Sequence, residues 1–98
     1  MASVKDPEGA ELRALAEVVD FNGRRVLEVG CGDGRMVRLY APQAAKVLGI
    51  DEDAEAIAEA RRNMPRELKS HVRFRVARAE RLRVRPASFD IAFLAWSL

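Results

Sequence analysis

Three glycines in five positions follow a short apolar run in the segment VLEVGCGDGR, residues 26–35. Glycine weakens helices and strands, so this density indicates a turn where the backbone bends sharply or is approached closely. The residues before the glycines read as a buried strand, and those after them, GRMVRLYA, carry apolar side chains at helical spacing. We therefore predict a strand, a glycine loop and a helix in direct succession, with free helix N–H groups at the loop.

Strands and helices alternate along the whole chain, which predicts one α/β domain over residues 1–98. Right-handed crossovers would join the strands into a truncated, doubly wound, Rossmann-like parallel sheet with helices on both faces. The alternating segment HVRFRVA suits an edge strand, whereas the continuous apolar run Ile91–Trp96 suits a strand covered on both faces. The predicted helices lie at about 7–20, 34–41 and 54–64, and the predicted strands at 25–29, 45–50, 71–77 and 91–96.

Composition narrows the class of protein. Apolar residues make up 49% of the chain, which supports a packed core. The single cysteine, Cys31, excludes an internal disulfide and a cysteine-rich metal site, and we interpret it as a small filler. Without an apolar membrane span or a signal-peptide core in the sequence, a cytoplasmic protein is expected. Asp33 and Asp53 precede predicted helices and are interpreted as caps, and His71 as structural.

The net charge of +2 hides an asymmetry between the two parts of the chain. Residues 1–60 carry 7 Lys/Arg and 12 Asp/Glu, whereas residues 61–98 carry 10 and 3. A basic stretch over 61–85 can attract nucleic acid, although Phe74 is its one aromatic residue. The simpler interpretation is a solvated arginine-rich surface.

The ligand of the glycine loop can be narrowed from nearby residues. A dinucleotide fingerprint would place its third glycine at position 35, where this chain has Arg35. Glu28, two residues before Gly30, suits a cationic group rather than a pyrophosphate. Asp51 ends the second predicted strand, where an acidic residue accepts hydrogen bonds from ribose hydroxyls. These residues predict a ribonucleoside with a cationic end, a description that fits S-adenosylmethionine.

Over residues 23–98 the sequence resembles the class I S-adenosylmethionine-dependent methyltransferases. VLEVGCGDGR resembles their first motif, VLGIDEDAEAI the acidic end of their second strand, and FRVARAERL and SFDIAFLAWSL their third and fourth strand segments. The resemblance implies S-adenosylmethionine or S-adenosylhomocysteine as cofactor, with glycines along it, Glu28 at its methionine portion, Asp51 at its ribose and Ala79–Glu80 at its adenine. The full predicted set is Glu28, Gly30, Cys31, Gly32, Gly34, Asp51, Glu52, Ala79, Glu80 and Trp96.

Two departures from the family pattern qualify this expectation. Family members often read GDAE where residues 77–80 read ARAE, so Arg78, which cannot accept a hydrogen bond, replaces the aspartate that would accept from the adenine amino group. The family sheet has the strand order 3-2-1-4-5-7-6, and this chain supplies 3-2-1-4. Because substrate and catalytic groups usually follow the fourth strand, we assign no catalytic residue.

The acceptor and the assembly are therefore open at this point. FLAWSL lacks the Asn/Asp-Pro-Pro-aromatic motif of base-methylating enzymes, so a small-molecule acceptor is favoured over nucleic acid. We expect a homodimer, through antiparallel pairing of the 90–96 strands or exchange of elements, or a missing C-terminal half. The alternative is a non-catalytic module that binds nucleic acid or protein through residues 61–85.

Overall fold

A computed structural model describes residues 19–81 and 88–95 of the chain. The first predicted helix lies almost wholly outside these residues, as does Trp96. Four strands form one parallel sheet in the order β3-β2-β1-β4, as predicted. The elements are β1 (Arg25–Val29), α1 (Arg35–Tyr40), β2 (Lys46–Asp51), α2 (Ala54–Asn63), β3 (Val72–Val76) and β4 (Ile91–Leu94), with short 3₁₀ turns at Arg66–Leu68 and Ala79–Arg81.

Both α-helices in the described ranges pack on the same face of the sheet. Successive side chains of a strand point to opposite faces of the sheet, so every second strand residue faces the helices. Tyr40 of α1 stacks on Phe21 with ring centroids 4.4 Å apart and meets Phe93 of β4 edge to face. The residues buried in this layer are Phe21, Val26, Cys31, Val37, Tyr40, Ala41, Ala44, Val47, Ile57, Ala60, Met64, Leu68, Val72 and Phe74.

Helix α2 begins and ends where its sequence predicts. The Oδ1 atom of Asp53 accepts from the N–H groups of Glu55 and Ala56 at 2.9 and 3.2 Å, which confirms Asp53 as the N-cap. The helix ends before Pro65, and its buried side chains are Ile57 and Ala60, whereas Ala58 is exposed. Because positions 58 and 60 are both alanine, the sequence alone does not distinguish the buried face of this helix from the exposed one.

The opposite face of the sheet carries none of the α-helices found in residues 19–81 and 88–95. The helix predicted over residues 7–20 lies almost wholly outside these ranges. Ile50 at the centre of this face is fully buried, but Leu94 is 58% exposed and Ala92 is exposed as well. The expectation that β4 is covered on both faces is thus wrong for these two residues, because their side chains lie on the face away from both α-helices, on a strand at the edge of the described sheet.

Strand β4 is fastened to β1 at its amino end. Asp90 accepts from the backbone N–H of Arg25 at 2.9 Å and from its guanidinium at 3.2 and 3.1 Å, while its own N–H donates to the Arg25 carbonyl. This pairing holds the pKa of Asp90 down at about 2, chiefly through the side-chain hydrogen bonds from Arg25. A single residue pair therefore sets the start of the β1–β4 ladder.

Candidate active site

The glycine loop, residues 30–34, is tied to the end of β2. The N–H groups of Gly30 and Cys31 both donate to the Ile50 carbonyl, at 2.8 and 3.0 Å. The loop then closes through a bond from the Gly34 N–H to the Cys31 carbonyl at 3.0 Å. These bonds hold the loop against the neighbouring strand at the carboxyl edge of the sheet.

Asp51 joins the glycine loop to the start of the next loop. Its Oδ2 atom accepts from the Gly32 N–H and its Oδ1 atom from the Asp53 N–H, each at 2.9 Å. A carboxylate has about four lone-pair sites, so two remain for a ligand. Because both oxygens are already held by the backbone, this half-buried acceptor is oriented before any ligand arrives.

Two glycines of the loop serve different purposes. Gly34 has a φ of 83°, and a Cβ there would lie 3.2 Å from the Phe74 ring and 3.3 Å from the Ala60 methyl group, so it allows close packing of α2 and β3. Gly32 has a φ of 55°, yet a Cβ there would meet nothing within 4 Å. The missing side chain at Gly32 therefore leaves open space beside the Asp51 carboxylate.

A cavity of about 190 Å³ opens next to this carboxylate, at the carboxyl ends of β1, β2 and β3. We call it the strand-end cavity. Pockets for whole ligands usually measure about 300–1,000 Å³, so this volume suits one portion of a larger ligand. The lining residues are Val29, Gly30, Ile50, Asp51, Glu52, Ala77, Arg78, Ala79 and Glu80.

Arg78 and Glu52 face each other across the cavity rim. The Arg78 Nε atom lies 3.5 Å from Glu52 Oε1, and both side chains are more than half exposed. An exposed pair of this kind contributes little to stability, so it can separate at little cost. Arg78, which stands where family members often have an aspartate, thus lines the cavity.

Glu28 is buried rather than open to the cavity. Its exposed fraction is 1%, and its Oε1 accepts from the Tyr40 hydroxyl at 2.7 Å. Burial beside this carboxylate raises the pKa of Tyr40 far above its ordinary value. The tyrosine of α1 supplies a hydrogen bond that lets this carboxylate leave water. Its predicted contact with a methionine portion stays a prediction.

Cys31 and Asp33 have structural surroundings. Burial, reinforced by the charges of Glu28 and Asp51, raises the pKa of the Cys31 thiol to about 12. The thiol therefore stays protonated at neutral pH, in line with its interpretation as a filler. The prediction that Asp33 caps α1 is wrong, because Gly34 in a left-handed conformation is the N-cap and has no side-chain cap bond; Asp33 Oδ1 accepts instead from the N–H of Arg35, the first helical residue, at 3.2 Å.

The structure gathers part of the predicted site around one cavity. Gly30, Asp51, Glu52, Ala79 and Glu80 line it. Gly32 joins them through its bond to Asp51, whereas Glu28, Cys31 and Gly34 support the loop from the packed side, and Trp96 lies outside the described residues. The sequence interpretation missed the apolar lining by Val29, Ile50 and Ala77, whose places at the ends of strands were the available signal.

These residues fit a nucleoside carrying a neutral base. The carboxylate of Asp51 accepts hydrogen bonds and suits hydroxyl groups, while Val29 and Ala77, which are partly exposed, offer an apolar wall for a ring. The open side of Gly32 leaves room for the ligand to continue past the loop. Carboxylates dominate the polar lining, which is unfavourable for a pyrophosphate.

Comparisons with known proteins identify the family of the chain. The methyltransferase domain family matches residues 26–98, and the chain belongs to this family. Trans-aconitate 2-methyltransferase of Afipia carboxidovorans is 37% identical over 54 residues, which cover 52% of this chain and 21% of that protein. The matched part of this chain therefore spans about a fifth of that relative's length.

Solved structures share the fold over most of the chain. An S-adenosylmethionine dependent methyltransferase from Mesorhizobium loti is 28% identical, with a TM-score of 0.75, and the match covers 92% of this chain and 39% of that one. An RNA methyltransferase from Salinibacter ruber, in complex with S-adenosyl-L-homocysteine, is 25% identical with a TM-score of 0.73, covering 93% and 60%. No helix in the described ranges is long and apolar enough to cross a membrane.

Proposed function

We propose that this chain is the cofactor-binding part of a methyltransferase and binds S-adenosylmethionine at the strand-end cavity. The observation that carries the proposal is the Asp51 carboxylate, held at 2.9 Å by two backbone N–H groups beside the open face of Gly32. Its remaining lone pairs would accept the ribose hydroxyls, and the apolar strand ends would contact the adenine.

When bound, S-adenosylmethionine supplies a methyl group already activated on a sulfonium. The chain's own task is then to bind and orient, which for displacement reactions is a large part of catalysis. Asp51 would fix the nucleoside, and the glycine loop would let the ligand lie against the backbone. No residue of this chain is assigned as a base.

Calorimetry with S-adenosylhomocysteine tests the cofactor site. Asp51→Asn removes the charge and places an amide N–H₂ opposite a backbone N–H, so we expect affinity to fall about tenfold or more. Asp53→Asn is the matched control: Asp53 uses one oxygen for both of its cap bonds, and an asparagine carbonyl can replace it. Equal affinity for wild type and Asp51→Asn, or no heat from a folded wild-type protein at millimolar ligand, would refute the proposal.

Arg78 would weaken recognition of the adenine amino group, because a guanidinium only donates. An asparagine at this position offers an acceptor oxygen without adding a charge beside Glu52. We expect Arg78→Asn to tighten S-adenosylhomocysteine binding about fivefold, the value of one added hydrogen bond. Arg81→Asn, in the same turn but outside the cavity lining, is the control and should change nothing. Equal or weaker binding by Arg78→Asn would contradict this role.

The acceptor, the assembly and the location remain proposals. A small-molecule acceptor is supported by the absence of the base-methylation motif from FLAWSL and by the likeness to trans-aconitate 2-methyltransferase. A homodimer through the 90–96 strand is supported by the exposed Leu94 on an edge strand. A cytoplasmic location is supported by the lone thiol of Cys31, which is free.

A further inference from the structure

A second groove lies on the sheet face that carries neither α-helix of the described ranges. It measures about 410 Å³, and of the described residues none lines both this groove and the strand-end cavity. Three cationic side chains line it, those of Lys46 on β2 and Arg73 and Arg75 on β3. We call it the basic groove.

The positive charge of this groove is not neutralised by the walls that the structure describes. Among residues 19–81 and 88–95, no aspartate or glutamate lines it. The side chains of Lys46 and Arg75 form no hydrogen bond or ion pair with the described residues, and Arg73 donates only to the Lys69 carbonyl, at 3.2 Å. The surface arginines Arg25 and Arg78, by contrast, each face a carboxylate. Uncompensated cations gathered in a concave surface attract anions.

The spacing of the charges suits a chain of anions rather than a single one. Arg73 and Arg75 project from the same face of one strand, about 7 Å apart along it. Parallel register places Leu48 of β2 beside Arg73, and Lys46 lies two residues earlier. The half-exposed ring of Phe89 adds an aromatic surface to the wall. Proteins that bind single-stranded nucleic acid combine a row of cationic side chains, which contact the phosphates, with aromatic side chains, on which the bases stack.

We infer that the basic groove binds single-stranded nucleic acid, with its phosphates at Arg73, Arg75 and Lys46. This inference is independent of the cofactor site, because the two cavities have separate linings. It also gives the basic 61–85 stretch a defined surface: two of its arginines project on the face away from both α-helices. The groove would hold a nucleic acid whether or not that nucleic acid accepts a methyl group.

Fluorescence anisotropy with labelled oligouridylate and oligothymidylate of about 12 nucleotides tests the inference, since single-strand sites span about 4–16 nucleotides. We expect the double substitution Arg73→Ala/Arg75→Ala to weaken binding about tenfold. It should also make the slope of log K against log salt concentration shallower by about 1.4, the value for two phosphate contacts with a single strand. Arg62→Ala/Arg66→Ala removes the same charge from exposed positions outside the groove and should leave affinity within about twofold. Circular dichroism verifies that each variant is folded.

Arg75→Gln provides a second measure, because the Arg75 side chain forms no hydrogen bond or ion pair within the described residues. It should weaken binding by itself and leave S-adenosylhomocysteine binding unchanged. The inference would be overturned if the groove and control variants lost affinity equally. It would also be overturned if neither oligonucleotide bound the wild type at low salt. Competition by inorganic polyphosphate as effective as that by an oligonucleotide of equal charge would also overturn it, since the site would then recognise charge alone.

Discussion

Single residues of the glycine loop divide into those that shape the fold and those that shape the cavity. Gly34 is enclosed by Phe74 and Ala60, whereas Gly32 faces open space, although both have positive φ values. The same amino acid at the same kind of turn is thus required for two reasons. Substitution by alanine should separate these reasons experimentally.

We expect Gly34→Ala to lower the free energy of unfolding by about 2–4 kcal/mol, because backbone strain and a crowded methyl group add together. Gly32→Ala should cost only the strain, about 1–2 kcal/mol, yet should abolish detectable binding of S-adenosylhomocysteine. Urea denaturation and calorimetry measure the two quantities. If Gly32→Ala kept wild-type affinity, the ligand would not pass this glycine.

Cys31 permits a test of its protonation state. With its pKa raised to about 12, the folded thiol should react slowly with a disulfide reagent at pH 8 and rapidly after unfolding in urea. The folded-state rate should keep rising with pH through 9 and 10, where an ordinary thiol, with a pKa of about 8.5, levels off. A folded rate that levels off near pH 9 would show an exposed and unperturbed thiol.

Among the elements, β4 depends on the Arg25–Asp90 pair for its amino-terminal attachment. The pKa of Asp90 is lowered to about 2 in the folded protein, so the ionised carboxylate favours folding. This contribution is fully present above the ordinary aspartate pKa of about 3.9 and is lost as pH falls toward 2. The pair is exposed, and its effect is therefore to align the strand more than to stabilise the whole domain.

Asp90→Asn should destabilise the protein at pH 5–8, and the difference from wild type should shrink between about pH 4 and pH 2. Urea denaturation over a pH series measures it. In an Arg25→Gln background the same substitution should have a smaller effect, since its main partner is gone. A difference that persists unchanged at pH 2 would assign the effect to something other than ionisation.

The elements were predictable from sequence to differing degrees, for physical reasons. The period of two in HVRFRVA and the glycines after VLEV identified β3 as an edge strand and the loop as a strand-to-helix turn, because local patterning records burial directly. The interaction between Glu28 and Tyr40 was not predictable, since the partner is twelve residues away and on a different element. Likewise, the apolar run of β4 could not reveal that Leu94 faces solvent, which depends on what lies above the sheet.

At the scale of the whole molecule, the sheet has two unlike faces. One carries both helices and the aromatic contacts of Tyr40, and the other carries the basic groove and the exposed Leu94. The proposed dimer would extend the sheet beyond β4, and the proposed nucleic-acid groove lies toward β3. The cations of the groove lie on β2 and β3, whereas the proposed dimer pairs through β4, next to the Phe89 end of the groove.

Light scattering at high micromolar concentration should give a dimeric mass for the wild type. Leu94→Lys would bring like charges together across the two-fold axis, and we expect it to shift the mass toward the monomer. Val76→Lys is the control: Val76 is also exposed, at 46%, but lies on the other edge strand. A monomeric wild type, or equal dissociation by both substitutions, would contradict pairing through β4.

The Arg25–Asp90 pair and the Asp51 carboxylate sit at opposite ends of strands that run in one direction. Five residues of strand separate the two ends, a distance of about 17 Å. Sites this far apart usually contribute independently to the free energy, so losses at one end should simply sum with losses at the other. The carboxyl edge can thus be re-engineered for a different nucleoside while the amino edge keeps the strands in register.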